Sequence, residues 1–126
     1  MNNKTETVNI IGAGLAGCEA ALYLSASGVR VRLFECKPIE KSPAHSSDGF
    51  AELVCSNSLK SDLLSTASGL LKSELRYLGC RLISVADSVK VPAGSALAVD
   101  REKFSATVTK LIEEDKNIEI RHEIVT

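Results

Sequence analysis

The chain has 126 residues, 44% of them hydrophobic and 25% charged, with 15 basic against 16 acidic side chains and a formal net charge of −1. That length allows one domain or part of one, and the charge balance excludes a nucleic-acid surface dominating the whole molecule, though not a local basic strip. No stretch approaches the ~20 apolar residues that span a bilayer. Residues 1–6 lack the basic start, apolar block and cleavage site of a signal peptide, so the expected location is the cytosol.

In chain order, residues 7–11 form a short run rich in β-branched residues and read as a buried parallel strand. The glycine-rich turn Gly12–Gly17 follows, and then an Ala- and Leu-rich helix over about 15–27, stopped by Gly28. Residues 29–35 read as a second strand, with Val31 and Leu33 alternating against Arg30 and Arg32. From 37 to 61 periodicity is lost among Pro38, Pro43, serine pairs and Gly49; a loop of this length within a compact domain is usually functional. A helix is expected over about 69–78, with Leu71, Leu75 and Leu78 on one face. Residues 82–91 and 95–99 read as short strands of a small hairpin or meander. Asp100 is placed to cap a helix over about 101–115, striped by Phe104, Val108, Leu111 and Ile112. A period-2 strand closes the chain from Ile118.

The order is β-α-β, loop, α, hairpin, α, β, which points to an α/β, Rossmann-like domain built on a parallel sheet. Only three candidate parallel strands are present, where a doubly wound sheet usually has five or more. The expectation is therefore that residues 1–126 are the N-terminal part of such a domain, incomplete by themselves.

Gly12-Ala13-Gly14-Leu15-Ala16-Gly17 is a GxGxxG that follows a strand and opens a helix. In that context the first glycine makes the tight turn and the second lets backbone approach a pyrophosphate. The third lets helix and strand pack closely, and the phosphates meet the free N–H groups of the helix start. The acid expected about 20 positions further on is Glu35, whose carboxylate can accept hydrogen bonds from ribose hydroxyls. FAD is favoured over NAD by two features. The motif begins a dozen residues into the chain, and Val99-Asp100-Arg101 resembles an Asp-Arg element that many FAD-dependent oxidoreductases place before a helix, with Arg101 then near the diphosphate.

Four cysteines (Cys18, Cys36, Cys55, Cys80) form no CxxC pair and only His45 and His122 accompany them, so neither a zinc site nor a disulfide framework is suggested. Each cysteine taken alone reads first as a small buried hydrophobe. Cys18 lies in the first turn of the first helix, where the dipole could lower its pKa but packing is the expected role. Cys36 and Cys80 read as incidental. His45 is poised between substrate or flavin contact and a loop hydrogen bond, and His122 reads as solvated. Asp48 and Asn57 are expected to shape the loop through Asx-type bonds, and Glu113–Lys116 to be a solvated helix end.

The segment Pro43-Ala-His-Ser-Ser-Asp-Gly-Phe-Ala-Glu-Leu-Val-Cys-Ser-Asn-Ser-Leu59 narrows the reading. Together with Gly12–Gly17, Phe34-Glu-Cys-Lys-Pro38 and Val91–Arg101 it closely resembles the folate- and FAD-dependent tRNA (uracil-5-)-methyltransferases (TrmFO), over essentially the whole chain. The family usually has Met-Arg where Cys36-Lys37 stand and histidine where Ser46 stands. Lys37 keeps the charge of that arginine but not its planar fork, which weakens any bidentate phosphate or ribose contact there. The resemblance implies transfer of a methylene group from methylenetetrahydrofolate to C5 of a uracil in the tRNA T-loop. Reduced FAD, recharged by NAD(P)H, turns it into a methyl group. It implies a nucleotide site of Gly12–Gly17, Glu35, Lys37 and Arg101, with Cys55 as the redox- or adduct-forming thiol. The alternatives are a related FAD-dependent rRNA methyltransferase, a tRNA wobble-uridine modifier, or a truncated, inert nucleotide-binding fragment. No metal is expected. On this reading the chain alone does not methylate tRNA.

Overall fold

The computed structural model describes residues 6–126; the sequence reading of the extreme N-terminus falls mainly on residues 1–5, outside the described part. Strands Thr7–Ile11 (β1) and Arg30–Glu35 (β2) flank helix Leu15–Ala26 (α1). Then come Ser58–Ser61 (β3), Ala67–Tyr77 (α2), Arg81–Ser88 (α3), Lys90–Val91 (β4), Ala96–Val99 (β5), Arg101–Glu113 (α4) and Ile118–His122 (β6).

The three expected parallel strands form one sheet in the order β1-β2-β6. Ile10 pairs with Leu33, and Leu33 with Ile120. Because the order steps in one direction, right-handed crossovers put the connecting helices on the same face. Val31, Leu33 and Ile118 accordingly pack with Cys18, Ala21 and Leu22 of α1 and with Phe104, Val108 and Ile112 of α4 in one core. The alternating residues Asn9, Arg32, Glu119 and Arg121 look out from the opposite face, where Arg32 and Arg121 both pair with Glu119. Ile11 on that face is 69% exposed.

A second, antiparallel sheet has the order β3-β5-β4. The β4–β5 hairpin was expected; the other two features of this region were not. Residues 81–88 are helical, because Leu82, Ile83, Val85 and Ala86 bury one helical face and the Glu19 carboxylate of α1 accepts from the Arg81 and Leu82 N–H groups at the helix start. The long loop ends in β3, which pairs with β5.

Helix α2 also departs from expectation. Thr66 caps it through Gly69 N. Leu71 and Leu78 face outward, however, and the buried positions are Gly69 and Lys72. Lys72 donates to the carbonyls of Leu59 and Ser68, and Arg76 is shared by Asp62 and Asp87, so polar contacts fix the orientation of this helix. Asp100 caps α4 through Lys103 N as expected, and the stripe holds for Phe104, Val108 and Ile112, with Leu111 at the margin. Asp115 is not simply solvated: it accepts from Ser25 Oγ and ties the end of α4 to α1.

Candidate nucleotide site and the loop beside it

The glycine turn has the geometry its sequence demands. Gly12 has φ +97°, and its N–H donates to Phe34 O at 2.7 Å, joining the end of β1 to β2. A Cβ on Gly17 would lie 1.9 Å from Gly12 O, so only glycine lets α1 start this close to β1. Gly14 is the N-cap residue, has no side chain to cap the helix, and has no atom within 4 Å of where a Cβ would project. The first intrahelical bond runs from Cys18 N to Gly14 O. The N–H groups of the preceding turn, Leu15 to Gly17, therefore lie at the positive end of α1 with open space before them. A pyrophosphate fits this cradle.

Ala13 is buried and acts through its backbone. Its N–H donates to Glu35 Oε2 at 2.9 Å, and its carbonyl accepts from Ala51 N at 2.9 Å and from Cys18 Sγ at 3.3 Å. Glu35, also buried, accepts from Lys37 N through Oε1 at 2.9 Å. Burial works to raise its pKa, but the Lys37 and Ala13 N–H groups and the Cys36 thiol outweigh it, and the carboxyl is held below its ordinary value. The acid thus clamps the end of β2 to the glycine turn.

Lys37, expected in the nucleotide site, lies beside it through its backbone, whose N–H donates to Glu35. Its ammonium turns inward, with the side chain 4% exposed, and donates to Gly49 O at 2.6 Å and Glu52 Oε2 at 3.4 Å. A buried cation needs its carbonyl and carboxylate, and these lie in the loop. Arg101, at the start of α4, is exposed and reaches Leu53 O at 3.3 Å. It lines an open cleft of about 500 Å³ together with Cys55, Asn57 and Asp100. The structure thus brings Arg101 and Cys55 together.

The residue that organises this loop, Glu52, was missed. Its Oε1 accepts from Ser46 N and Ser46 Oγ at 2.8 Å and from Ser47 N at 3.1 Å. Burial acts against its charge, yet these donors and the Lys37 ammonium lower its pKa to about 2. Phe50 is the loop's anchor: it is buried, Ser105 Oγ donates to its carbonyl, and its N–H donates to Thr109 Oγ1 at 2.9 Å. A signal existed in Glu52 as the one charged residue between Asp48 and Lys60, and in Ser105 and Thr109 at i, i+4 beside the apolar stripe of α4.

The other singled-out residues sort by burial. Cys18 is buried, and burial pushes its thiol up to about 12, so packing prevails over the helix dipole. Cys55 and Cys36 are exposed and Cys80 half-buried, so the general expectation of burial holds only for Cys18. The Cys36 thiol donates to Glu35, which raises its pKa; burial does the same for Cys80. His45 bonds Ser42 Oγ at 2.8 Å within its own turn. His122 is engaged rather than merely solvated: its Nδ1 lies 2.6 Å from Lys37 O, and its ring stacks on Phe50 at 6.1 Å between centroids. Asp48 pairs with Lys41, and Asn57 acts through its carbonyl, which accepts from Val99 N. Among the described residues there is no cluster of three or more potential ligands placed to hold a metal ion. No described helix is long and apolar enough to cross a membrane.

Comparison with known proteins adds three findings. The family model for Glucose inhibited division protein A matches residues 7–126. The chain is 60% identical over 119 residues to the methylenetetrahydrofolate--tRNA-(uracil-5-)-methyltransferase TrmFO of Fusobacterium nucleatum, covering 94% of this chain and 27% of the relative. It is 52% identical over 121 residues to that of Bacillus subtilis, covering 96% and 28%. The chain thus spans little more than a quarter of the curated relatives it matches. Among solved structures, Aquifex aeolicus GidA superposes with a TM-score of 0.71 at 20% identity, over 95% of this chain and 21% of that one. The p-nitrophenol 4-monooxygenase PnpA of Pseudomonas putida gives 0.55 at 16% identity, over 92% and 32%. These two likenesses concern the fold: a Rossmann-like α/β arrangement.

Proposed function

The chain belongs to the Glucose inhibited division protein A family, and from that premise we propose that it is the FAD-binding N-terminal segment of a folate-dependent tRNA (uracil-5-)-methyltransferase. The reading is carried by the 60% identity to a relative of that name over a stretch that includes both the Gly12–Gly17 cradle and the Cys55 loop. In it, the N–H groups at the start of α1 hold the pyrophosphate of FAD and Glu35 receives its ribose hydroxyls. Glu35 has acceptor capacity beyond that used by Ala13 N, Lys37 N and the Cys36 thiol. The flavin supplies the electrons that reduce a methylene group from methylenetetrahydrofolate to methyl, and NAD(P)H restores them. Cys55 stands exposed in an open cleft, as a thiol that must reach a reacting partner requires. Arg101 shares that cleft as the cation for an anionic group. A tRNA acts as methyl acceptor, in the cytoplasm.

The test is a chimera in which residues 7–126 replace the matching segment of the Fusobacterium nucleatum relative. It is expected to bind FAD and to transfer label from methylenetetrahydrofolate to tRNA, and Cys55→Ala to reduce that transfer by at least ~100-fold. A chimera that folds and binds FAD but leaves tRNA unmethylated, where the parent methylates it, would overturn the reading.

A further inference from the structure

Cys55 lies on a loop, and a reactive group on a loop is only as well placed as what holds that loop. Three residues before it stands Glu52, which uses one carboxylate oxygen to gather the Ser46 and Ser47 N–H groups and the Ser46 hydroxyl. The other oxygen meets the Lys37 ammonium, which also bonds Gly49 O. Lys37 in turn is fixed at its own N–H by Glu35, the acid of the nucleotide site, while Ala51 N bonds Ala13 O in the glycine turn. A continuous set of hydrogen bonds thus runs from the cradle to the segment carrying Cys55, and Glu52 is where it branches.

We infer that Glu52 is a positioning residue: through Lys37 it latches the loop onto the end of β2 and so fixes where Cys55 stands relative to a nucleotide held by Gly12–Gly17. The inference rests on the reading of Cys55 as the functional thiol beside a bound flavin. A neutral side chain at 52 can still accept from serine donors, but it cannot neutralise a buried ammonium. The latch therefore depends on charge as well as on hydrogen bonding.

Two measurements on the 126-residue chain test it: alkylation of Cys55 by iodoacetamide, followed by peptide mass spectrometry with and without excess FAD, and amide hydrogen exchange at Ser46 and Ser47 without FAD. In the parent chain and in Lys37→Arg, which keeps the charge, FAD is expected to slow Cys55 alkylation by about tenfold. In Glu52→Gln that protection is expected to shrink to about twofold or less at saturating FAD, with exchange at Ser46 and Ser47 rising by about tenfold and exchange in α1 unchanged. The double variant Glu52→Gln/Lys37→Met leaves no unpaired charge buried and serves if the single variant unfolds; it is expected to lose the protection equally. Full protection with unchanged exchange in either variant overturns the latch. Should bound FAD leave Cys55 unprotected even in the parent, the functional reading falls, and exchange at Ser46 and Ser47 alone decides whether the latch exists.

Discussion

Glu52 and Lys37 show how far a side chain's partners can lie from its neighbours in the chain. Lys37 follows Glu35 by two positions and reads as part of a nucleotide site, yet its ammonium serves the loop. Glu52 lies within the Pro43–Leu59 segment with no role assigned to it there, yet four donors converge on it. Its carboxyl has a pKa of about 2 in the folded chain against an ordinary 4.5. A folded-state value below the unfolded one stabilises the fold above the ordinary value, and the contribution is lost as pH falls through the folded value. The stability difference between the parent chain and Glu52→Gln is therefore expected to be full at pH 5 and above, and to shrink steadily as pH falls from about 4.5 toward about 2. Urea midpoints across that range measure it, and a difference independent of pH would contradict the assignment.

At the scale of elements, α2 and α4 both carry apolar stripes, of leucines in α2 and of Phe104, Val108, Leu111 and Ile112 in α4, but use them differently. Ile112 of α4 is fully buried against β6 and α1. Leu71 and Leu78 of α2 are mostly exposed, because Lys72 and Arg76 dictate which way the helix turns. Ile112→Ala is thus expected to cost about 2–5 kcal/mol, and Leu71→Ser or Leu78→Ser within about 0.5 kcal/mol, by chemical denaturation. A large loss at Leu78 would mean that the leucine face is the packed one. The helix at 81–88 teaches a related lesson. Its apolar residues at 82, 83, 85 and 86 suit a short strand as well as a short helix, and the acceptor that starts the helix, Glu19, lies 62 positions away from Arg81.

For the molecule as a whole, the cradle is formed but its surroundings are open. Strand β1 pairs on one side only, with β2, and the face bearing Asn9, Ile11 and Arg32 has no layer over it among the described residues. A ligand held by one turn and one carboxylate loses most of the enclosure that gives tight binding. The 126-residue chain is accordingly expected to bind FAD weakly, shedding it on gel filtration, and to leave tRNA unmethylated. A yellow chain that keeps stoichiometric flavin and turns over would refute this.

What the sequence alone determined are features whose cause is local: the β-α-β start, the glycine turn with its acid at the end of β2, the Asp100 cap, the period-2 closing strand and the buried Cys18. Each follows from a spacing of 2 or 3.6 residues, from the absence of a Cβ or, at Asp100, from a side-chain oxygen within reach of the helix's first N–H groups, and neighbours in the chain suffice to express it. What only the tertiary structure decided are features whose partners are distant: the inward turn of Lys37, the gathering of loop donors by Glu52, the outward leucines of α2, the helix at 81–88, and the placing of Cys55 beside Arg101. A buried charge must find its counter-charge wherever the fold supplies one, and no periodicity in the chain records where that will be.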